Sequence, residues 1–178
     1  SGTPLKSIQK LLPGEVIVIN QGAIVDRWFW YKLPIFKFSK QTLSKNTAIS
    51  GIVKHLRQAV HSQMVSDVPL GAFLSGGLDS SAIVAFAKEK NPSIKCFTIE
   101  TLGRQDAGII DDLPYAKRVA EHLKVSLDVV TIDSKKMAND LEAMVVHLDE
   151  PLADPSALNV LYISKLAREQ GIKVLLSG

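Results

Sequence analysis

Leu74-Ser75-Gly76-Gly77-Leu78-Asp79-Ser80-Ser81 follows a short apolar run, Gly71 to Leu74, and opens a helical pattern from Asp79 to about Lys90. A strand ending in two glycines lets the backbone approach a ligand closely, and the next helix aims its free N–H groups and positive dipole end at the same place. The segment reads as a phosphate-binding turn. Ser75, Ser80 and Ser81 add hydroxyls. Asp79 adds a carboxylate that would repel phosphate unless a divalent cation stood between them, which predicts Mg2+ with Asp79 as its ligand. Two other phosphate loops fail on spacing: no lysine completes a Walker loop, and Gly76-Gly77 does not supply the three spaced glycines of a dinucleotide fingerprint. The competing structural reading is a plain strand-to-helix turn capped by Asp79.

On either side of the loop the pattern alternates. Ile49, Ile52, Val53, Leu56, Val60 and Met64 recur at three- and four-residue steps and predict an amphipathic helix of about five turns. After the loop helix come strand Ile94–Ile99, helix Asp112–His122, strand Leu127–Ile132, helices Ser134–His147 and Ser156–Gln170, and strand Ile172–Leu176. Strands separated by helices call for a parallel sheet with helices on both faces. Asp133 or Ser134 is placed to cap one helix, and Asp154-Pro155-Ser156 places an N-cap and a first-turn proline before the next. The first third differs. Residues 15–19 and 23–31 are β-prone runs joined around Asn20-Gln21-Gly22, a hairpin that cannot stand alone in water. Residues 1–34 therefore read as the tail of another domain, 35–46 as a polar, Lys-rich linker and 47–178 as the main, truncated domain.

Composition narrows the function classes. The chain has 178 residues, 46% of them hydrophobic, enough for a packed core. Lys and Arg number 21 against 18 Asp and Glu, a net charge of +3, without the clustering a nucleic-acid partner requires. The single cysteine, Cys96, excludes an internal disulfide and any multi-cysteine metal site, and its apolar setting predicts a buried strand residue. His55, His61, His122 and His147 share no metal-binding spacing. No apolar stretch is long enough to span a bilayer and no signal-peptide layout is present, so the expected setting is cytoplasmic, with no membrane partner.

SGGLDSS preceded by Ser66-Asp67-Val68-Pro69-Leu70-Gly71 resembles the pyrophosphate loop of ATP-pyrophosphatases, specifically that of the asparagine synthetase family. The likeness runs through Asp112-Leu113-Pro114-Tyr115-Ala116 with Val119-Ala120, Leu148-Asp149-Glu150-Pro151 and Asp154-Pro155-Ser156 to Lys173-Val174-Leu175-Leu176-Ser177-Gly178. It implies an α/β fold of the adenine-nucleotide alpha-hydrolase-like, Rossmann-like kind, preceded by the last hairpin of a class II glutaminase domain. It further implies ATP and Mg2+ as cofactors, and aspartate or a related carboxylate plus ammonia from glutamine as substrates. A homodimer is left open. By the same resemblance Ser75, Gly76, Gly77, Asp79, Ser80 and Ser81 hold pyrophosphate, with Ser75, Asp79 and Ser80 the catalytic set. Phe73 and Ile99 line the adenosine pocket from strand ends, and Ser177 and Gly178 begin a second glycine-rich loop at the nucleotide.

The implied reaction is amide formation through an acyl-adenylate with pyrophosphate release. Ser1 is no N-terminal nucleophile, because only a hairpin follows it. Asp111-Asp112 and Asp149-Glu150 divide between helix capping and an acidic substrate-side wall. The alternatives are a nucleotide-binding module without catalysis, a relative that amidates another carboxylate or a sugar, and a tRNA-modifying adenylating enzyme. The last needs a basic surface and often a cysteine pair, neither of which the sequence contains. The chain reads as a fragment, inactive by itself.

Overall fold

The computed structural model describes residues 2–33, 43–102, 111–150, 152, 154 and 156–178. It divides into two compact units, Ser1–Ser44 and Lys45–Gly178.

In the first unit β1 (Glu15–Asn20) pairs antiparallel with β2 (Ala23–Phe29) through the two-residue turn Gln21-Gly22, with a bulge between Val18 and Ile19. The β-branched and aromatic residues form the ribbon, but two strands bury little: Ile24 and Val25 are exposed, and Trp30 is 72% exposed. What fixes the ribbon is polar. The buried Glu15 carboxylate accepts from Leu12 N at 2.8 Å and pairs with Arg27 Nε across the hairpin, and the Arg27 bond chiefly holds its pKa below the usual carboxylate range.

The second unit begins with α1 (Lys45–Gln63), which starts inside the last two residues of the stretch read as a linker. Pro34 and residues 35–42 lie outside the described residues. Then follow β3 (Leu70–Phe73), α2 (Leu78–Lys90), β4 (Lys95–Leu102), α3 (Leu113–Leu123), β5 (Ser126–Asp133), α4 (Ser134–Val146), α5 (Ser156–Glu169) and β6 (Val174–Leu176). The four strands are parallel in the order β5-β4-β3-β6. Alternation along them supplies two apolar faces. Ala72, Leu74 and Cys96 point to the side where Val60 of α1, Val84 and Ala87 of α2, and Ala116 and Ala120 of α3 pack. Phe97, with Phe73, Ile99 and Leu175, points to the other side, against Ile163 and Ala167 of α5. Ile132 of β5 meets Met144 of α4 and Leu158 and Tyr162 of α5. The α/β sheet with helices on both faces is thus present, and Cys96 is a core residue whose thiol is pushed up to about 12 by burial, which makes it inert.

Helix ends follow local chemistry. Asp133, one of the two candidate caps, accepts from Lys136 N at 2.7 Å and starts α4. Asp154 Oδ1 accepts from Ser156 N at 2.9 Å before α5, while Pro155 lies outside the described residues. The strand read as Ile94–Ile99 runs further, to Leu102, because Glu100, Thr101 and Leu102 still pair with Thr131, Ile132 and Asp133.

This order has a switch point. Chain progress from β3 through β4 to β5 moves one way across the sheet, whereas β6 lies on the other side of β3, so a crevice opens beyond the carboxyl ends of β3 and β6. Phe97, in the interior of the sheet, is the largest fully buried side chain among the described residues. Phe97→Ala should lower unfolding free energy by about 3–5 kcal/mol in urea denaturation; a loss below about 1 kcal/mol would contradict this packing.

Candidate functional site

The predicted loop sits at that switch point. β3 ends at Phe73, and Leu74 N donates to Phe97 O at 2.9 Å, so the chain stays tied to β4 until it turns. Gly76 then takes φ +80, in the left-handed region. A Cβ there would overlap Ala116 N and the Tyr115 carbonyl carbon and lie 2.6 Å from Tyr115 Cβ, so the first turn of α3 backs directly onto the loop. Gly77 is different. It is the extended N-cap of α2, and an added Cβ would meet only Ser75 Oγ, at 3.4 Å.

Gly77 has no side chain with which to cap α2, and no other side chain caps it among the described residues. Its first intrahelical bond is Ser81 N to Gly77 O, 3.0 Å, which leaves the N–H groups of Leu78, Asp79 and Ser80 without an intrahelical acceptor. Gly178 faces the same turn: a Cβ added to it would come within 2.9 Å of Ser80 N and 3.0 Å of Asp79 C. Two segments almost a hundred residues apart in sequence thus converge on one helix N-terminus, and Gly178, two residues past β6, keeps the approach open.

The serines are less alike than they look in sequence. Ser81 Oγ turns back to Gly77 O at 2.6 Å. Ser80 is buried, with Oγ 3.0 Å from Ser75 Oγ and 3.3 Å from Gly77 O. Ser75 Oγ also accepts from Gly77 N at 3.3 Å. Asp79 is exposed, and its carboxylate makes no hydrogen bond or ion pair among the described residues. No group of three or more metal-ligating side chains occurs among the described residues.

Phe73 and Ile99 direct their side chains into the apolar cluster under α5, on the sheet face opposite Leu74. Ile99 is not a strand end, since β4 continues for three more residues. Yet β3 stops level with Phe97, so Ile99 stands where the neighbouring strand has already turned away. Ser177 is exposed beside Gly178. A groove of about 650 Å3 runs between α2 and α3 on the other face, lined by Gly76, Leu78, Ser81, Tyr115, Arg118 and His122 among others.

Sequence reading did not anticipate Tyr115 and Ala116 as the backing of Gly76. Nor did it separate the acids before α3: Asp111 Oδ1, not Asp112, accepts from Leu113 N at 3.0 Å. Asp112 has its pKa raised, by burial first and then by neighbouring Asp111.

Residues 51–178 match the asparagine synthase family model. Among curated proteins, asparagine synthetase (glutamine-hydrolyzing) 1 of Bacillus subtilis is 39% identical over 131 residues, covering 71% of this chain and 20% of that protein. The amidase chyE of Penicillium rubens is 30% identical over 193 aligned positions, covering 100% of this chain and 28% of that protein. The chain thus spans less than a third of the length of these relatives. Among solved structures, the U34-tRNA thiolase NcsA from Methanococcus maripaludis superposes with a TM-score of 0.52 at 16% identity, over 78% of this chain and 48% of that one, a likeness of fold.

The two glycines should respond differently to a methyl group. Gly76→Ala meets both a left-handed φ and the α3 backbone and should cost about 2 kcal/mol or more, whereas Gly77→Ala should cost less than about 1 kcal/mol. Equal losses in urea denaturation would contradict the contact between Gly76 and α3.

Proposed function

The chain belongs to the asparagine synthase family, and from that premise we propose that it carries the ATP-binding half-site of an enzyme forming amides through an acyl-adenylate. The observation that supports this reading best is the uncapped start of α2, approached on one side by Gly178 and held in shape by the left-handed Gly76. Three N–H groups with no acceptor among the described residues, at the positive end of a helix, are preorganised for an anion.

In this reading a carboxylate oxygen attacks the α-phosphorus of ATP, the bond from that phosphorus to the bridging oxygen breaks, and the electron pair leaves with pyrophosphate. Charge then grows on the leaving group, where the Leu78, Asp79 and Ser80 amides meet it. Ammonia attacks the acyl carbon, loses a proton, and expels AMP. Ser75, Gly76, Gly77, Asp79, Ser80 and Ser81 form the pyrophosphate turn; Phe73, Ile99, Ser177 and Gly178 border the nucleoside. A lone exposed carboxylate suits Mg2+, which takes one or two carboxylates together with phosphate oxygens and water, and Asp79 is the residue placed to hold it. When bound, that ion neutralises phosphate charge.

We assign residues 1–34 to the end of a glutaminase domain, the rest of the stretch before α1, 35–44, to a linker, and ammonia to hydrolysis of glutamine by that domain. Among the described residues no helix is long and apolar enough to cross a membrane, which fits a cytoplasmic biosynthetic enzyme. Aspartate is the proposed acceptor. The match of the whole chain to a protein named an amidase supports a second reading, the same chemistry on another carboxylate.

Pyrophosphate release by the intact protein, with ATP, Mg2+ and a panel of carboxylates, tests this. Release dependent on aspartate, and reduced at least about a hundredfold in kcat/KM by Asp79→Asn, is expected. Release with a different acid alone would change the acceptor, and undiminished turnover in the variant would remove Asp79 from the site.

A further inference from the structure

We propose that Ser80 is a positioning residue whose buried hydroxyl makes Ser75 an obligate hydrogen-bond donor toward an anion at the mouth of the loop. This rests on reading the loop as a pyrophosphate site. Protons and lone pairs decide the direction of each bond: a hydroxyl has one proton and two lone pairs, and a carbonyl oxygen has two lone pairs. Gly77 O receives Ser81 N at 3.0 Å and Ser81 Oγ at 2.6 Å, which fills it. The contact from Ser80 Oγ to that carbonyl is longer, 3.3 Å, than its contact to Ser75 Oγ, 3.0 Å. Ser80 therefore gives its proton to Ser75.

Ser75 Oγ already accepts from Gly77 N at 3.3 Å. With the Ser80 proton on its other lone pair it has no acceptor capacity left, and its own proton finds no acceptor among the described residues. That proton is what an acceptor-only phosphate oxygen needs. Three serines thus have three roles: Ser81 closes the helix turn on Gly77, Ser80 is turned inward at 9% exposure, and Ser75, half-buried, carries the available proton. The Ser80 hydroxyl, unlike its backbone N–H, acts on the ligand only through Ser75.

A double-mutant cycle separates this from a structural role. The probe is Mg2+-pyrophosphate, titrated calorimetrically into the intact protein and its Ser75→Ala, Ser80→Ala and doubly substituted forms. Ser75→Ala should weaken binding about tenfold, and Ser80→Ala about fivefold, but Ser80→Ala in the Ser75→Ala background less than about twofold. Ser80→Thr against Ser80→Val repeats the comparison at equal side-chain size should the alanine form fail to fold, with Thr binding as Ser does and Val as Ala. Equal losses in both backgrounds overturn the proposal alone. No pyrophosphate binding by the unsubstituted protein would overturn the phosphate reading, and the proposal with it.

Discussion

The contact between the Gly76 backbone and the first turn of α3 is the constraint on which the site depends. The chain must leave a buried strand and enter a helix within four residues, and only a left-handed residue without a Cβ makes that turn against the Tyr115-Ala116 backbone. Ala116 is itself buried in the core shared by α1, α2 and the sheet. Loop shape is therefore set by core packing, and the direction of the α2 amides inherits that rigidity.

Convergence at the switch point follows from strand order. With β3 central and β6 beside it, Gly178 arrives at the turn that β3 and α2 form, so residues distant in sequence share one helix end. Helices α1, α2 and α3 cover one face and α4 with α5 the other, which leaves the carboxyl edge as the opening. Lys88 Nζ also donates to Leu123 O, tying the end of α3 to α2 far from the loop. The two helices that shape the turn are thereby held at both ends.

Much of this was legible beforehand because the signals are local. Period-3.6 spacing in 49–64, the apolar runs of the strands and the double glycine each act within a few residues, and all led to elements close to those observed. Strand ends were less visible. β4 outruns its apolar run because Glu100 and Thr101 gain ladder partners on β5, which only the paired strand reveals. The serines of the loop, identical in type, are distinguished by burial and by a crowded carbonyl, and neither property has a one-dimensional signature. Asp111 and Asp112 divide the same way, one bonding Leu113 N and the other desolvated beside it.

The most direct measurement is the backbone amide spectrum of the intact protein as Mg2+-pyrophosphate is added. If the start of α2 is the anion site, the amides of Leu78, Asp79 and Ser80 move furthest downfield, and Gly76→Ala abolishes those shifts. Pyrophosphate binding whose largest shifts fall elsewhere, with these three amides unmoved, would contradict it.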